Sequence, residues 1–308
     1  MIKITYYIKV VDDIYINQPK QKMKTILIAT DFSDGATHAA NYGYLLAQQI
    51  KANVVLCNAV SVPAEMPQAG LSVWPKDSYE SLLQASIDDT DQLKSDLEIF
   101  SVISDFRPLI SCINQEGTIQ TVVETLITTQ TIDLIIMGTH GSRGLNSFML
   151  GNHTRGMIDE AQQPILFIPP AAKIKKVKKI AFAADFKYPK KDLVSFYSVL
   201  ALARLLDAEV VLTHIYNEKH NSPEFNDWAK QSLIELRESS DYEAITYKFL
   251  QNEETDSGLN LLCEQENIGL LAMVHRQHNF FDALINGSKT QQMAEDISIP
   301  LLVLPVNN

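Results

Sequence analysis

Short apolar segments alternate with amphipathic ones through the first half of the chain. Five of the apolar segments are rich in Ile, Val and Leu on both faces, which is the pattern of parallel strands covered on both sides. They are Thr25–Thr30, Val54–Val60, Leu109–Asn114, Ile132–Gly138 and Ile165–Ile168. Strands joined by helices in this order predict a doubly wound α/β fold, with a five-stranded parallel sheet whose ligands bind beyond the carboxyl ends of the strands.

Two of the intervening helices have clear starting points. Ser33 and Thr118 are suitable N-caps, because their hydroxyl groups can accept a hydrogen bond from the free N–H groups of a helix start. Small and apolar residues recur at helical spacing after each cap. We expect the inward faces to consist of Ala36, Ala39, Ala40, Gly43, Tyr44 and Ala47 in the first helix, and of Val122, Val123, Leu126 and Ile127 in the second.

The same pattern returns in the second half of the chain. The segment TILIATDF at 25–32 is echoed by KIAFAADF at 179–186, and Val54–Leu56 is echoed by Val210–Leu212. The repeat predicts two tandem copies of one Rossmann-like domain.

The two copies differ in length. Asp31 and Asp185 are 154 residues apart, whereas Pro164 and Pro300 are 136 apart, so the first copy is longer between its second and fourth strands. Pro63–Lys76 has three prolines, one glycine and no helical period, and it is the expected place for much of this surplus.

The repeat divides the chain into four parts. Residues 1–22 are an extension of uncertain structure, 23–170 form the first domain, 171–178 the linker and 179–308 the second domain. The extension is compatible with an added edge strand and equally with a peptide that does not belong to the native protein. The lysine run before the second domain is interpreted as a solvated linker in preference to a site for an anionic partner.

Composition narrows the possible functions. The formal net charge of −11 over 308 residues argues against a general nucleic-acid binder, because phosphate backbones attract basic surfaces. The apolar segments are far shorter than the roughly 20 residues of a membrane helix, and no signal peptide is evident. Three isolated cysteines indicate buried thiols in a reducing, cytoplasmic setting.

A glycine-rich segment follows the fourth strand of the first copy. Gly138 and Gly141 allow a sharp turn against a ligand, and Gly151 precedes a helix whose free N–H groups favour an anion. We therefore expect a phosphate at Gly151–Thr154 and a sugar beside Gly138–Gly141. The segment is neither a GxxxxGK(S/T) P-loop nor a GxGxxG dinucleotide motif.

The glycine spacing resembles a known family. Gly138-x2-Gly141-x9-Gly151 is similar to the G-x2-G-x9-G-(S/T) loop of the universal stress proteins, and Ala29–Ser33 looks like the end of that family's first strand. The resemblance extends over nearly the whole chain from Met23 onward, in two copies. It implies an adenine nucleotide alpha hydrolase-like fold, binding of ATP or AMP, possible use of Mg²⁺, dimer-like pairing through the last strands, and a stress-response role.

The same resemblance implies a set of nucleotide-binding residues. Asp31 would contact the adenosine moiety, Ala59 would lie near the adenine, Gly138 and Gly141 would line the ribose and α-phosphate, and Gly151–Thr154 would hold the outer phosphates. The full expected set is Thr30, Asp31, Ala59, Gly138, His140, Gly141, Arg143, Gly151, Asn152, His153 and Thr154. Asn152 stands where the family has Ser or Thr; its amide can still donate to a phosphate oxygen.

The second copy departs further from the glycine pattern. Val274 and Gln277 occupy the positions of Gly138 and Gly141, and their side chains should clash with a nucleotide. We interpret the second domain as a degenerate partner that packs on the first. The last strands of the two copies are the expected meeting line of this pseudo-dimer, and further dimerisation of whole chains stays open.

The sequence favours a binding protein over an enzyme. The glycine-rich segment 138–154 contains no Lys and no carboxylate to hold a metal ion or stabilise a leaving group. The leading hypothesis is a nucleotide-responsive protein whose surface is read by an unidentified protein partner. The alternatives are a weak Mg²⁺-dependent ATP hydrolase and a purely structural interaction protein without nucleotide.

Overall fold

The computed structural model describes residues 24–61, 76–100, 106–139, 162–184, 186, 189–217, 222–274 and 298–305. The extension at 1–22 lies outside these residues. The strands are β1 Thr25–Ala29, β2 Asn53–Val60, β3 Ile110–Glu116, β4 Leu134–Gly138, β5 Ile165–Ile168, β6 Lys179–Ala183, β7 Glu209–Tyr216, β8 Ile245–Gln251, β9 Leu270–Val274 and β10 Leu301–Leu304. The helices are α1 Asp34–Ile50, α2 Lys76–Phe100, α3 Ile119–Thr129, α4 Pro189–Leu206, α5 Pro223–Ser239 and α6 Thr255–Gln265.

All ten strands belong to one sheet with the order β3-β2-β1-β4-β5-β10-β9-β6-β7-β8. Every neighbouring pair is parallel except β5 and β10, which are antiparallel. The order within each half is the same, so the predicted α/β fold with two doubly wound five-stranded units is confirmed. The predicted strands of the first half agree with the observed ones to within two residues at each end.

The strands are apolar on both faces because both faces of the sheet are covered. Ile26 and Ile28 of β1 enter the core beneath α1, α2, α4 and α5. Leu27 and Ala29 point the opposite way, into the core beneath α3 and α6. Burial of such side chains contributes roughly 1.5–3 kcal/mol each relative to exposure, which makes this two-sided covering the main source of stability.

Both predicted helix starts are confirmed. The Ser33 hydroxyl accepts from the Ala36 N–H at 3.3 Å, and the Thr118 hydroxyl accepts from the Thr121 N–H at 3.2 Å. The predicted inward residues of both helices are buried, apart from Ile127, which is half-buried against the same core.

The two halves meet where their last strands pair, a line that we call the seam. Leu301 lies opposite Phe167 and Val303 opposite Ile165. Phe167 and Leu301 are fully buried. The seam joins the last strands of the two copies, which the family resemblance implied would pair.

The linker between the halves is fastened to α1. The Gln49 side-chain amide donates to the Val177 carbonyl at 3.0 Å and to the Leu206 carbonyl at 2.9 Å, and it accepts from the Val177 N–H at 3.1 Å. A ring nitrogen of His38 lies 2.8 Å from the Ala172 carbonyl oxygen. Gln49 thus ties the linker both to α1 and to the end of α4.

Part of the extra length of the first half is helical. Helix α2 has 25 residues, whereas its counterpart α5 has 17. Most of the predicted insertion Pro63–Lys76 lies outside the described residues. Among the described helices, none is both long and apolar enough to cross a membrane.

Candidate functional site

The carboxyl ends of β1 and β4 form a topological switch point. From β1 the chain continues to β2 on one side, while β4 lies on the other side. Ile28 lies opposite Ile136 in the β1–β4 register, so the chain positions two residues further, Thr30 and Gly138, emerge side by side. Open α/β sheets bind ligands at this kind of crevice.

The turn from β1 into α1 is held by its own side chains. The Thr30 hydroxyl accepts from the Phe32 N–H at 3.0 Å. The Asp31 carboxylate accepts from the Ser33 N–H at 3.1 Å and from the Ser33 hydroxyl at 2.5 Å. Thr30 is buried, whereas Asp31 is exposed at the edge of the sheet. The turn therefore presents one oriented carboxylate at the switch point.

Phe32 has a left-handed backbone conformation with φ 61°. This conformation is rare for a bulky residue and costs on the order of 1–2 kcal/mol. Phe186, its counterpart in the second half, has φ 56°. The turn is therefore strained in the same way in both halves, and the surrounding contacts must hold it.

Gly138 has a packing role that the sequence did not suggest. A Cβ atom at this position would lie 2.9 Å from the Gly35 carbonyl oxygen in the first turn of α1. The absence of a side chain thus allows α1 to approach β4. The predicted contact of Gly138 with a ligand stays a prediction.

Val274 ends β9 as Gly138 ends β4, and it is half-buried. Five residues separate β6 from α4, whereas four separate β1 from α1.

Ala59 is half-buried near the end of β2 and packs on the side of the sheet covered by α3. The remaining predicted site residues lie outside the described part of the chain. They are His140, Gly141, Arg143, Gly151, Asn152, His153 and Thr154. Gln277 also lies outside it. Within the described residues, no group of three or more His, Cys, Asp or Glu side chains is placed to hold a metal ion.

Cys57 lies on β2 directly beside the switch point, since its carbonyl accepts from the Thr30 N–H at 2.9 Å. Burial raises the pKa of the Cys57 thiol to about 12. The group therefore stays protonated at neutral pH and does not suit a nucleophile. The prediction of a buried thiol is confirmed for Cys57, whereas Cys112 and Cys263 are only half-buried.

A polar network beneath the switch point was not anticipated from the sequence. Its members are Asn58 on β2, Asn114 on β3, and Ser86 and Thr90 on α2. Asn58 and Asn114 are direct neighbours in the β2–β3 register. Asn58, which directly follows the apolar run Val54–Cys57, was the available signal, because a buried amide requires hydrogen-bond partners.

The second half has an aromatic cluster at the corresponding place. His214 takes the strand position of Asn58, and Phe249 takes that of Asn114, and the two lie opposite each other in the β7–β8 register. Their rings are stacked with centroids 5.6 Å apart. The cluster consists of Phe186, His214, Tyr216, Phe225, Trp228 and Phe249.

Comparisons with known proteins agree with this architecture. Residues 22–169 match the model of the universal stress protein family. A universal stress protein from Archaeoglobus fulgidus DSM 4304 has a similar structure at 11% sequence identity, with a TM-score of 0.67, and the match covers 93% of this chain and all of that chain. No curated protein matches the chain.

Two further solved structures share the fold across both halves. A functionally unknown protein from Pseudomonas aeruginosa PAO1 is 12% identical with a TM-score of 0.57, covering 93% of this chain and 94% of its own. The cytoplasmic domain of a prokaryotic cation chloride cotransporter is 11% identical with a TM-score of 0.51, covering 92% of this chain and 95% of its own. At these identities the likeness concerns the fold alone.

Proposed function

We propose that this chain, whose residues 22–169 match the universal stress protein family, is a regulatory protein that binds ATP or AMP in its first half. The observation that carries the proposal is the switch point, where Thr30 and Gly138 emerge side by side and the glycine-rich segment follows directly. The bound nucleotide would change a surface that another protein reads during a cytoplasmic stress response.

The expected placement of the nucleotide follows from the chemistry of the strand ends. The exposed Asp31 carboxylate is an acceptor suited to a sugar hydroxyl group, and Ala59 offers an apolar wall for the base. The glycine-rich segment would supply N–H groups for the phosphates from Gly141 and from Gly151–Thr154, with His140 and Arg143 beside them. Asn152 would donate where the family has a hydroxyl group.

Binding without rapid turnover is the favoured form of this function. Fast hydrolysis needs groups that position water and stabilise the charge of the leaving group. Segment 138–154 supplies neither a lysine nor a carboxylate for these tasks. We therefore assign no catalytic residue.

The test is a calorimetric titration of the purified chain with ATP, ADP and AMP, with and without Mg²⁺. We expect one site per chain, because Val274 and the aromatic cluster fill the second half. Gly141→Val should abolish binding, since it introduces the kind of side chain that the second half carries. The control is Gly269→Ala, at a glycine outside the glycine-rich segment whose added Cβ would have no neighbour closer than 3.5 Å.

Other outcomes would change the proposal in defined ways. Two sites per chain would contradict the inactive second half. Magnesium-dependent turnover that is lost in Gly141→Val would favour the hydrolase alternative. No binding at millimolar nucleotide would leave a structural interaction protein.

A further inference from the structure

We propose that Asn58 is a positioning residue of the nucleotide site. Its side-chain amide holds the Thr30 carbonyl and thereby fixes the turn that presents Asp31. For the identity of the ligand this inference rests on the proposed function, but the geometry of the turn can be tested without any ligand.

The Asn58 amide is buried and bonded at both ends. Its Nδ2 donates to the Thr30 carbonyl oxygen at 2.7 Å. A carbonyl oxygen only accepts, so the orientation of the amide is fixed and its Oδ1 must face the other way. There the Ser86 hydroxyl donates to it at 2.8 Å.

The chain of hydrogen bonds continues from Ser86 to Asn114 on β3. The Ser86 Oγ is also 2.7 Å from the Asn114 side-chain oxygen Oδ1, and so is the Thr90 Oγ1. Each hydroxyl group has one proton, and Ser86 uses its proton on Asn58. All contacts are satisfied when the Asn114 amide is rotated by 180°, so that its N–H protons and not its oxygen face the two hydroxyl groups, and Thr90 donates to the Ser86 carbonyl at 2.7 Å. The donors then run in one direction, from Asn114 through Ser86 and Asn58 to Thr30.

This chain of hydrogen bonds ends at the point where β1 becomes a turn. The Thr30 N–H donates to the Cys57 carbonyl at 2.9 Å, so β2 holds both backbone polar groups of Thr30. The next residues use Thr30 and Asp31 as acceptors, and Phe32 is held in its left-handed conformation. Without Asn58, a buried carbonyl oxygen would lose its partner beside a strained residue, which favours a rearranged turn.

The second half contains a bond of the same kind, which supports the turn-fixing part of the assignment. His214, at the same position of β7, has its Nδ1 2.7 Å from the Ala184 carbonyl oxygen, and Ala184 is the counterpart of Thr30. The carbonyl can only accept, so Nδ1 carries the proton. The left-handed Phe186 follows two residues later. The two halves differ in residue type at this position, but each supplies a side-chain donor to the same carbonyl.

The experiment compares Asn58→Ala with Thr90→Val, which removes a buried hydroxyl group from the same network but leaves the Asn58–Thr30 bond in place. Amide hydrogen exchange is followed at Phe32 and Ser33 without ligand, and ATP affinity is measured by calorimetry. We expect exchange at both amides to be about tenfold faster or more in Asn58→Ala than in Thr90→Val. The dissociation constant for ATP should rise about tenfold relative to the same control.

Equal exchange at Phe32 and Ser33 in the two variants would overturn the proposal, because the turn would then not depend on Asn58. Unequal exchange with equal ATP affinity would also overturn it, since the turn would not serve the site. A wild-type chain that binds no nucleotide would contradict the proposed function, while the exchange comparison would still decide whether Asn58 positions the turn. Asn58→Leu has a similar volume and no donor, and it repeats the test should the alanine variant fail to fold.

Discussion

The two halves of the chain share a backbone but differ beneath the carboxyl ends of their strands. In the first half this region contains the polar network, in which Asn58 and Asn114 meet Ser86 and Thr90. In the second half it contains the aromatic cluster, in which Tyr216 and Phe249 stack at 4.4 Å and Phe186 meets Trp228 edge-on at 5.8 Å. The counterpart strands β2 and β7 have equal length, as do β3 and β8.

This difference shows which features the backbone fold requires and which belong to the candidate site alone. The same fold forms with the polar network or with the aromatic cluster, since the strand lengths and the left-handed turn are the same in both halves. A buried polar network contributes only when each donor and acceptor is paired, whereas aromatic rings contribute through area and shape. The second half is thus filled by its own aromatic side chains, while the first half has polar side chains below the strand ends where the proposed ligand would bind.

The largest expected effect concerns Phe186 and Phe32, which occupy equivalent positions in the two halves. Phe186→Ala should lower the free energy of unfolding by ~3–5 kcal/mol, because the ring is buried in the aromatic cluster. Phe32→Ala should cost less, because the Phe32 ring is only half-buried. Urea denaturation of both variants measures the difference. Equal losses of unfolding free energy in the two variants would mean that the aromatic cluster does not stabilise the second half more than Phe32 stabilises the first.

The next largest effect on stability is expected when the residues that end β4 and β9 are exchanged. Gly138→Val should lower the free energy of unfolding by ~1–3 kcal/mol, because its Cβ would meet the Gly35 carbonyl oxygen at 2.9 Å and displace α1. It should also weaken ATP binding, which calorimetry can measure. Val274→Gly is the matched variant, and it should leave ATP affinity unchanged. Weakened binding in Val274→Gly would show that the second half takes part in the site.

A smaller effect compares two hydroxyl groups that bond back to the preceding helical turn. The Thr90 hydroxyl reaches both the Ser86 carbonyl and Asn114, whereas the Ser232 hydroxyl bonds to the Trp228 carbonyl at 2.8 Å. Thr90→Val should therefore lower the free energy of unfolding by ~1–2 kcal/mol, and Ser232→Ala should cost less. Chemical denaturation tests the order, and the reverse order would contradict the importance of the polar network.

The smallest expected effect is electrostatic and concerns Glu266, which forms ion pairs with two lysines in the second half. Hydrogen bonding from Lys248, with its Nζ 2.7 Å from Glu266, and the nearby charge of Lys179 lower the pKa of Glu266 from its ordinary value of 4.5. The carboxylate therefore stabilises the fold above pH 4.5, and this stabilisation is lost as the pH falls through the lowered folded value.

Melting temperatures of the wild type and Glu266→Gln between pH 7 and pH 3 test this effect. The wild type should be slightly more stable at neutral pH, and the gap should close in acid. A gap that stays constant over this range would show that the ionisation of Glu266 is not involved.

The sequence predicted the strands and helix starts well because these depend on local pattern. Ser33 and Thr118 are caps by their own chemistry, and the β strands follow from runs of Ile, Val and Leu. The packing role of Gly138 could not be read in this way, since it depends on how closely α1 approaches β4. The partners of Asn58 lie 28 positions away on α2 and 56 away on β3, so only the folded chain brings them together.

The antiparallel pairing of β5 with β10 has a consequence for the order of events during synthesis. Phe167, which is fully buried in the folded chain, pairs with a strand that begins at Leu301, more than 130 residues later. At roughly 5–20 residues per second, the ribosome needs on the order of ten seconds to make that partner. Until then the apolar edge of the nascent first half is open, so chaperone binding should concentrate on chains shorter than about 300 residues.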